Sequence, residues 1–97
     1  MFIISLTYKV ALENVEQHLP EHNVFLQKYY DSGKFIASGR KEPRSGGIII
    51  ANAQSKNEIE QIISEDPFYT HQIADYEITE FIPSKYNDNF KFFINNS

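Results

Sequence analysis

Residues 34–51 read KFIASGRKEPRSGGIIIA, and this stretch decides the fold. Phe35-Ile36-Ala37-Ser38 and Ile48-Ile49-Ile50-Ala51 are short runs rich in apolar and β-branched side chains, which suit strands. Gly39, Pro43, Gly46 and Gly47 punctuate the chain between them, so the pair reads as a hairpin with a long connection. What flanks the hairpin then separates an all-β protein from a mixed one.

Ahead of it, Leu19, His22, Leu26 and Tyr29 recur at three- and four-residue spacing until Asp31-Ser32-Gly33 ends the pattern. Pro20 fits a first helical turn, so a helix is expected to begin there. Behind the hairpin, Ser55 and Glu58 form a capping-box pattern, and Ile59, Ile62 and Ile63 give a second helix one apolar face before Pro67 stops it. Further out, Phe2, Ile4, Leu6, Tyr8 and Val10 alternate with Ser5, Thr7 and Lys9, the two-residue period of a half-buried strand. Asp75 to Ile82 supplies a fourth strand. The order β-α-β-β-α-β predicts an α+β, ferredoxin-like fold: a four-stranded antiparallel sheet with two helices on one face.

The 97 residues suit a single domain, expected over residues 1–83, and a 41% hydrophobic composition is enough to bury a core. Residues 84–97 are polar apart from Phe90, Phe92, Phe93 and Ile94. That tail is expected to pack on its own domain or on a neighbouring subunit, because grouped exposed apolar side chains usually mark contacts. A net charge of −4 with scattered basic residues argues against nucleic-acid binding. The absence of cysteine excludes disulfides, thiolate metal sites and a Cys nucleophile. Met1-Phe2-Ile3-Ile4 lacks a basic flank and is soon interrupted by Ser5, Thr7 and Lys9, so neither a signal peptide nor a membrane span is expected, and the location expected is cytoplasmic. The sheet face away from the helices, carrying Ile3 and part of the Ile48-Ile50 run, needs cover, and a homodimer would provide it. A solvated face is the alternative.

The topology brings the end of strand one, the start of helix one, the hairpin and the end of helix two to one edge. These segments carry Tyr8 and Lys9, His22, Arg40 and Arg44, and Asp66. His22 shares a face with Leu26 and Tyr29, and Asp66 continues the face of Ile62 and Ile63. A carboxylate beside an imidazole fixes its tautomer and suits general acid–base work, so His22 and Asp66 are the candidate catalytic dyad. The same residues also fit a hydrogen-bonded core histidine and an Asp cap ahead of Pro67. Arg44, placed before Gly46-Gly47, is a candidate to hold a substrate anion, with Tyr8, Ser38 and Gly39 in the pocket wall; Arg40 reads as solvated loop charge. His18 and His22 stand four apart, but a helix starting at Pro20 leaves His18 outside it, and His71 reads as an exposed loop residue. No metal site is therefore expected. No phosphate-binding loop, nucleophile elbow or dinucleotide fingerprint occurs.

Taken in order, His22, Lys34-Phe35-Ile36-Ala37-Ser38-Gly39, Pro43-Arg44-Ser45-Gly46-Gly47, Asp66-Pro67-Phe68 and Ala74-Asp75-Tyr76-Glu77 resemble the YciI-like (YCII-related) family up to about Pro83. Many relatives resemble a Gly-Pro dipeptide where this chain has Gly39-Arg40. The resemblance implies a dimeric α/β barrel, two ferredoxin-like sheets packed face to face, with a pocket centred on a histidine and an aspartate that correspond to His22 and Asp66. Its wider superfamily, which includes muconolactone isomerase and a dehydrochlorinase, implies lyase or isomerase chemistry.

The expectation is therefore a small-molecule enzyme needing no cofactor, in which a His22–Asp66 dyad moves a proton on a small anionic or aromatic substrate. A homodimer that binds a metabolite without transforming it, and a purely structural dimer, are the alternatives.

Overall fold

The structure, a computed structural model, describes residues 1–95. The alternation in β1 (Phe2–Tyr8) sends Phe2, Ile4 and Leu6 to one face, where all three are buried. β1 lies inside the sheet between β3 (Gly46–Ala51) and β4 (Ala74–Glu80), and β2 (Phe35–Arg40) pairs with the outer side of β3. The order β2-β3-β1-β4, antiparallel throughout, is the ferredoxin-like arrangement that the hairpin stretch predicts. β3 approaches β1 so closely at Gly46 that a Cβ there would sit 1.8 Å from the Leu6 carbonyl oxygen, which only glycine avoids.

α1 (Leu12–Asp31) differs from expectation by beginning eight residues ahead of Pro20, which lies in its interior. An interior proline costs a helix about 3 kcal/mol. The apolar stripe explains why the helix continues past it: Val15 is fully buried and Leu19 packs on the core, so Val15, Leu19, His22 and Leu26 form one face against the sheet. His18 consequently lies inside the helix.

α2 (Lys56–Ile63) starts as its capping box predicts, the Ser55 hydroxyl accepting from the Glu58 N–H, and buries Ile59, Ile62 and Ile63. It stops three residues before Asp66. Pro67 opens a separate short helix, α3 (Pro67–Thr70), with Asp66 as its N-cap, so the α2 face does not carry through to Asp66. The corner between the two is tied to α1: Lys28 Nζ and the Tyr29 hydroxyl donate to Glu65 at 2.6 and 2.5 Å and hold its carboxyl below the usual range. Beyond β4, a 3₁₀ turn (Asp88–Phe90) leads to α4 (Lys91–Asn95), and Asn52 Nδ2 donates to the Phe93 carbonyl at 2.9 Å. No described helix is long and apolar enough to cross a membrane.

Candidate active site

Asp66 is completely buried, and its geometry follows from the turn that holds it. As N-cap of α3, its Oδ1 accepts from the Phe68 N–H at 3.0 Å. The same oxygen lies 2.7 Å from His22 Nδ1, and Oδ2 accepts from the Tyr76 hydroxyl at 2.5 Å. Tyr76 reaches it because β4 alternates, Ala74, Tyr76 and Ile78 sharing the helix-facing side of the sheet. Burial and the neighbouring carboxylate push the Tyr76 phenol well above its usual range, so it stays protonated and donates. The carboxylate thus collects three donors, capping α3 and holding the His22 ring at once.

His22 is also nearly buried, with its ring stacked on Phe68 at 3.9 Å between centroids and 5° between planes. The Nδ1–H donated to Asp66 leaves Nε2 as the lone-pair nitrogen of the neutral ring. The ring forms part of the wall of a cavity of about 230 Å³, together with Tyr8, Leu26, Ser38, Arg40 and Phe68. That volume is small for a ligand site and suits a single ring.

A bulge places two of these wall residues. The β2–β3 register shifts between Phe35 and Ala37, so two residues of β2 stand against one of β3. Phe35 faces the helices before the shift, and Ser38 and Arg40, paired with Ile49 and Gly47, face them after it. Arg40, read from sequence as loop charge, therefore ends β2 and lines the cavity, while its Nε pairs with Glu42 at 3.1 Å. Ser38 is hydrogen-bonded to the Tyr30 hydroxyl at 2.5 Å, and Gly39 and Tyr8 also border the cavity.

Arg44 is placed differently. It lies outside the cavity lining and pairs with Glu16 of α1 at 3.1 Å, a hydrogen bond that raises its pKa further. Tyr76, Phe68 and Arg40 are the site residues that sequence reasoning missed. The alternation of β4 carried a signal for Tyr76, whereas nothing local announced the bulge that turns Arg40.

In comparisons with known proteins, no curated protein matches the chain. Among solved structures, 5-chloro-2-hydroxyhydroquinone dehydrochlorinase (TftG) from Burkholderia phenoliruptrix AC1100, in complex with 2,5-dihydroxybenzoquinone, superposes with a TM-score of 0.76. The match covers 90% of this chain and 98% of that one at 18% sequence identity, a likeness of fold. The superposition accords with the ferredoxin-like sheet order and helix placement. The YCII-related domain matches residues 1–82, from the first strand through the whole sheet and both halves of the His22–Asp66 contact, and the chain belongs to that family.

Proposed function

We propose that this protein is a cofactor-independent enzyme of the lyase or isomerase type, in which His22 transfers a proton on a small, planar, anionic or enolic substrate. The observation that carries the reading is the division of labour on one imidazole: Nδ1 is bound to a fully buried carboxylate while the ring borders a cavity. Asp66 positions the ring and stabilises the imidazolium formed when Nε2 accepts a proton. In an elimination, a substrate C–H bond breaks toward Nε2, its electron pair forms the new double bond, and the anionic leaving group departs with its own pair. In an isomerisation, the imidazolium returns the proton to another carbon. Neither course gains or loses electrons overall, so neither requires a redox cofactor.

Arg40 supplies positive charge at the cavity rim, suited to a phenolate, enolate or carboxylate. Arg44 is held by Glu16 outside the cavity lining. TftG, of like fold, acts on a chlorinated hydroxyhydroquinone, which makes substituted hydroquinones the first substrates to try. The functional unit is a homodimer, supported by the half-buried Ile3, Ile48 and Ile50 on the sheet face that the helices leave uncovered.

The test is turnover of a panel of halogenated hydroquinones and small enol acids, followed by ultraviolet absorbance and halide release. Activity that falls at least about a hundredfold in His22→Ala supports proton transfer by His22. Binding without turnover across the panel would favour a metabolite-binding module.

A further inference from the structure

Two histidines, His18 and His71, take no part in the proposed reaction. His18 lies one helical turn before His22 on α1, and its ring stacks on His71 with centroids 4.2 Å apart and 22° between planes. Glu21 follows His18 by three residues, which puts both side chains on the same side of the helix. His71 arrives from the C-cap of α3. One ligand atom from each of the three lies within 4.8 Å of the other two.

We propose that His18, Glu21 and His71 form a binding site for a divalent transition-metal ion of the zinc type. Two imidazoles with one carboxylate are the donors that such ions take, whereas calcium and magnesium favour oxygen alone. Tetrahedral zinc with bonds of ~2.0–2.1 Å sets ligand atoms ~3.3 Å apart. Closing the remaining gap falls to the exposed Glu21 and His71, while half-buried His18 is the fixed ligand. His18 also carries a second, independent mark: its Nδ1 is buried with no hydrogen-bond partner among the described residues. Polar atoms in that condition are rare in folded proteins, and a metal ion bound at Nδ1 itself would supply the missing partner. Three protein ligands leave a fourth position for water.

The site joins the two elements that build the dyad. α1 carries His18 and His22, and α3 runs from its Asp66 cap to His71, so a bound ion would clamp together the supports of the His22–Asp66 contact.

Zinc chloride titrated calorimetrically into the full chain tests the site, with no substrate required, so that its outcome is independent of the proposed catalysis. The expected result is one ion per chain and a higher melting temperature with zinc. Affinity should drop at least tenfold in His71→Ala, since loss of even an outer-shell partner costs about that much, and fall in Glu21→Gln. Both residues are exposed, so these variants should fold, which circular dichroism without zinc verifies. The ring-nitrogen resonances of His18 and His71 should shift together on zinc addition. Absence of binding, affinity unchanged in His71→Ala, or binding lost in His22→Ala but kept in His71→Ala would overturn the site.

Discussion

His22 and Asp66 stand 44 residues apart in sequence, yet Nδ1 of one lies 2.7 Å from Oδ1 of the other, inside a shell where Asp66 has no solvent exposure. A carboxylate so placed holds the chain together and aims the imidazole. Asp66→Ala would strand three donors, those of His22, Phe68 and Tyr76, and should cost about 3–5 kcal/mol in urea unfolding. Asp66→Asn keeps an acceptor and should cost about 1–2 kcal/mol. Equal stability of the alanine variant and the parent would contradict the geometry.

Tyr76 gives the fold a dependence on alkaline pH. Its folded pKa lies above the unfolded value of 10.0, chiefly through burial and then through Asp66. Above pH 10 the unfolded chain releases the phenolic proton while the folded chain keeps it. The folded state then binds more protons, and stability declines as pH rises, by at most about 1.4 kcal/mol per pH unit. Tyr76→Phe should be less stable at neutral pH by about 1 kcal/mol and should show a shallower alkaline decline. Thermal melts from pH 8 to 11 would measure both.

Arg40 and Arg44 should separate by function. Arg40→Ala removes charge from the cavity rim and should weaken binding of an anionic ligand about tenfold or more with little loss of stability, because its side chain is exposed. Arg44→Ala breaks the ion pair with Glu16, outside the cavity lining, and its effect on affinity should be smaller. The reverse ranking in calorimetry would return the anion-binding role to Arg44.

Removal of the residues after Pro83 deletes α4 and its hydrogen bond to Asn52 while leaving all four strands. The circular dichroism of the sheet should persist, with a stability loss of about 1–2 kcal/mol from that bond and the half-buried Phe93. A dimer in sedimentation with and without the tail would locate the association on the open sheet face. Conversion to monomer would assign it to the tail.

Much of this was legible in the sequence because it rests on periodicity. The alternation of β1, the capping box at Ser55 and the hairpin at residues 34–51 each have one physical cause, and together they specify the topology. What escaped depends on partners distant in sequence. Pro20 reads as a helix start by local rule, yet burial of Val15 and Leu19 outweighs that preference. The bulge after Phe35 leaves no local mark, so Arg40 reads as loop charge although it reaches the cavity wall. Topology brings His22 and Asp66 together, but the α2 face ends at Ile63, and the Asp-Pro cap of α3 aims the carboxylate. Tyr76 completes the shell from β4, whose alternation marks its face but not its distant partner Asp66.

The proposed proton transfer requires that Asp66 hold His22 with a lone pair on Nε2, at the wall of a pocket that takes a small planar anion. Long-range proton–nitrogen NMR of the histidine rings, recorded where His22 is neutral, reads that tautomer directly. The expected result is an Nδ1–H ring whose Nε2 resonance shifts when 2,5-dihydroxybenzoquinone is added. An Nε2–H ring, or ligand binding that leaves both His22 nitrogens unmoved, would contradict it.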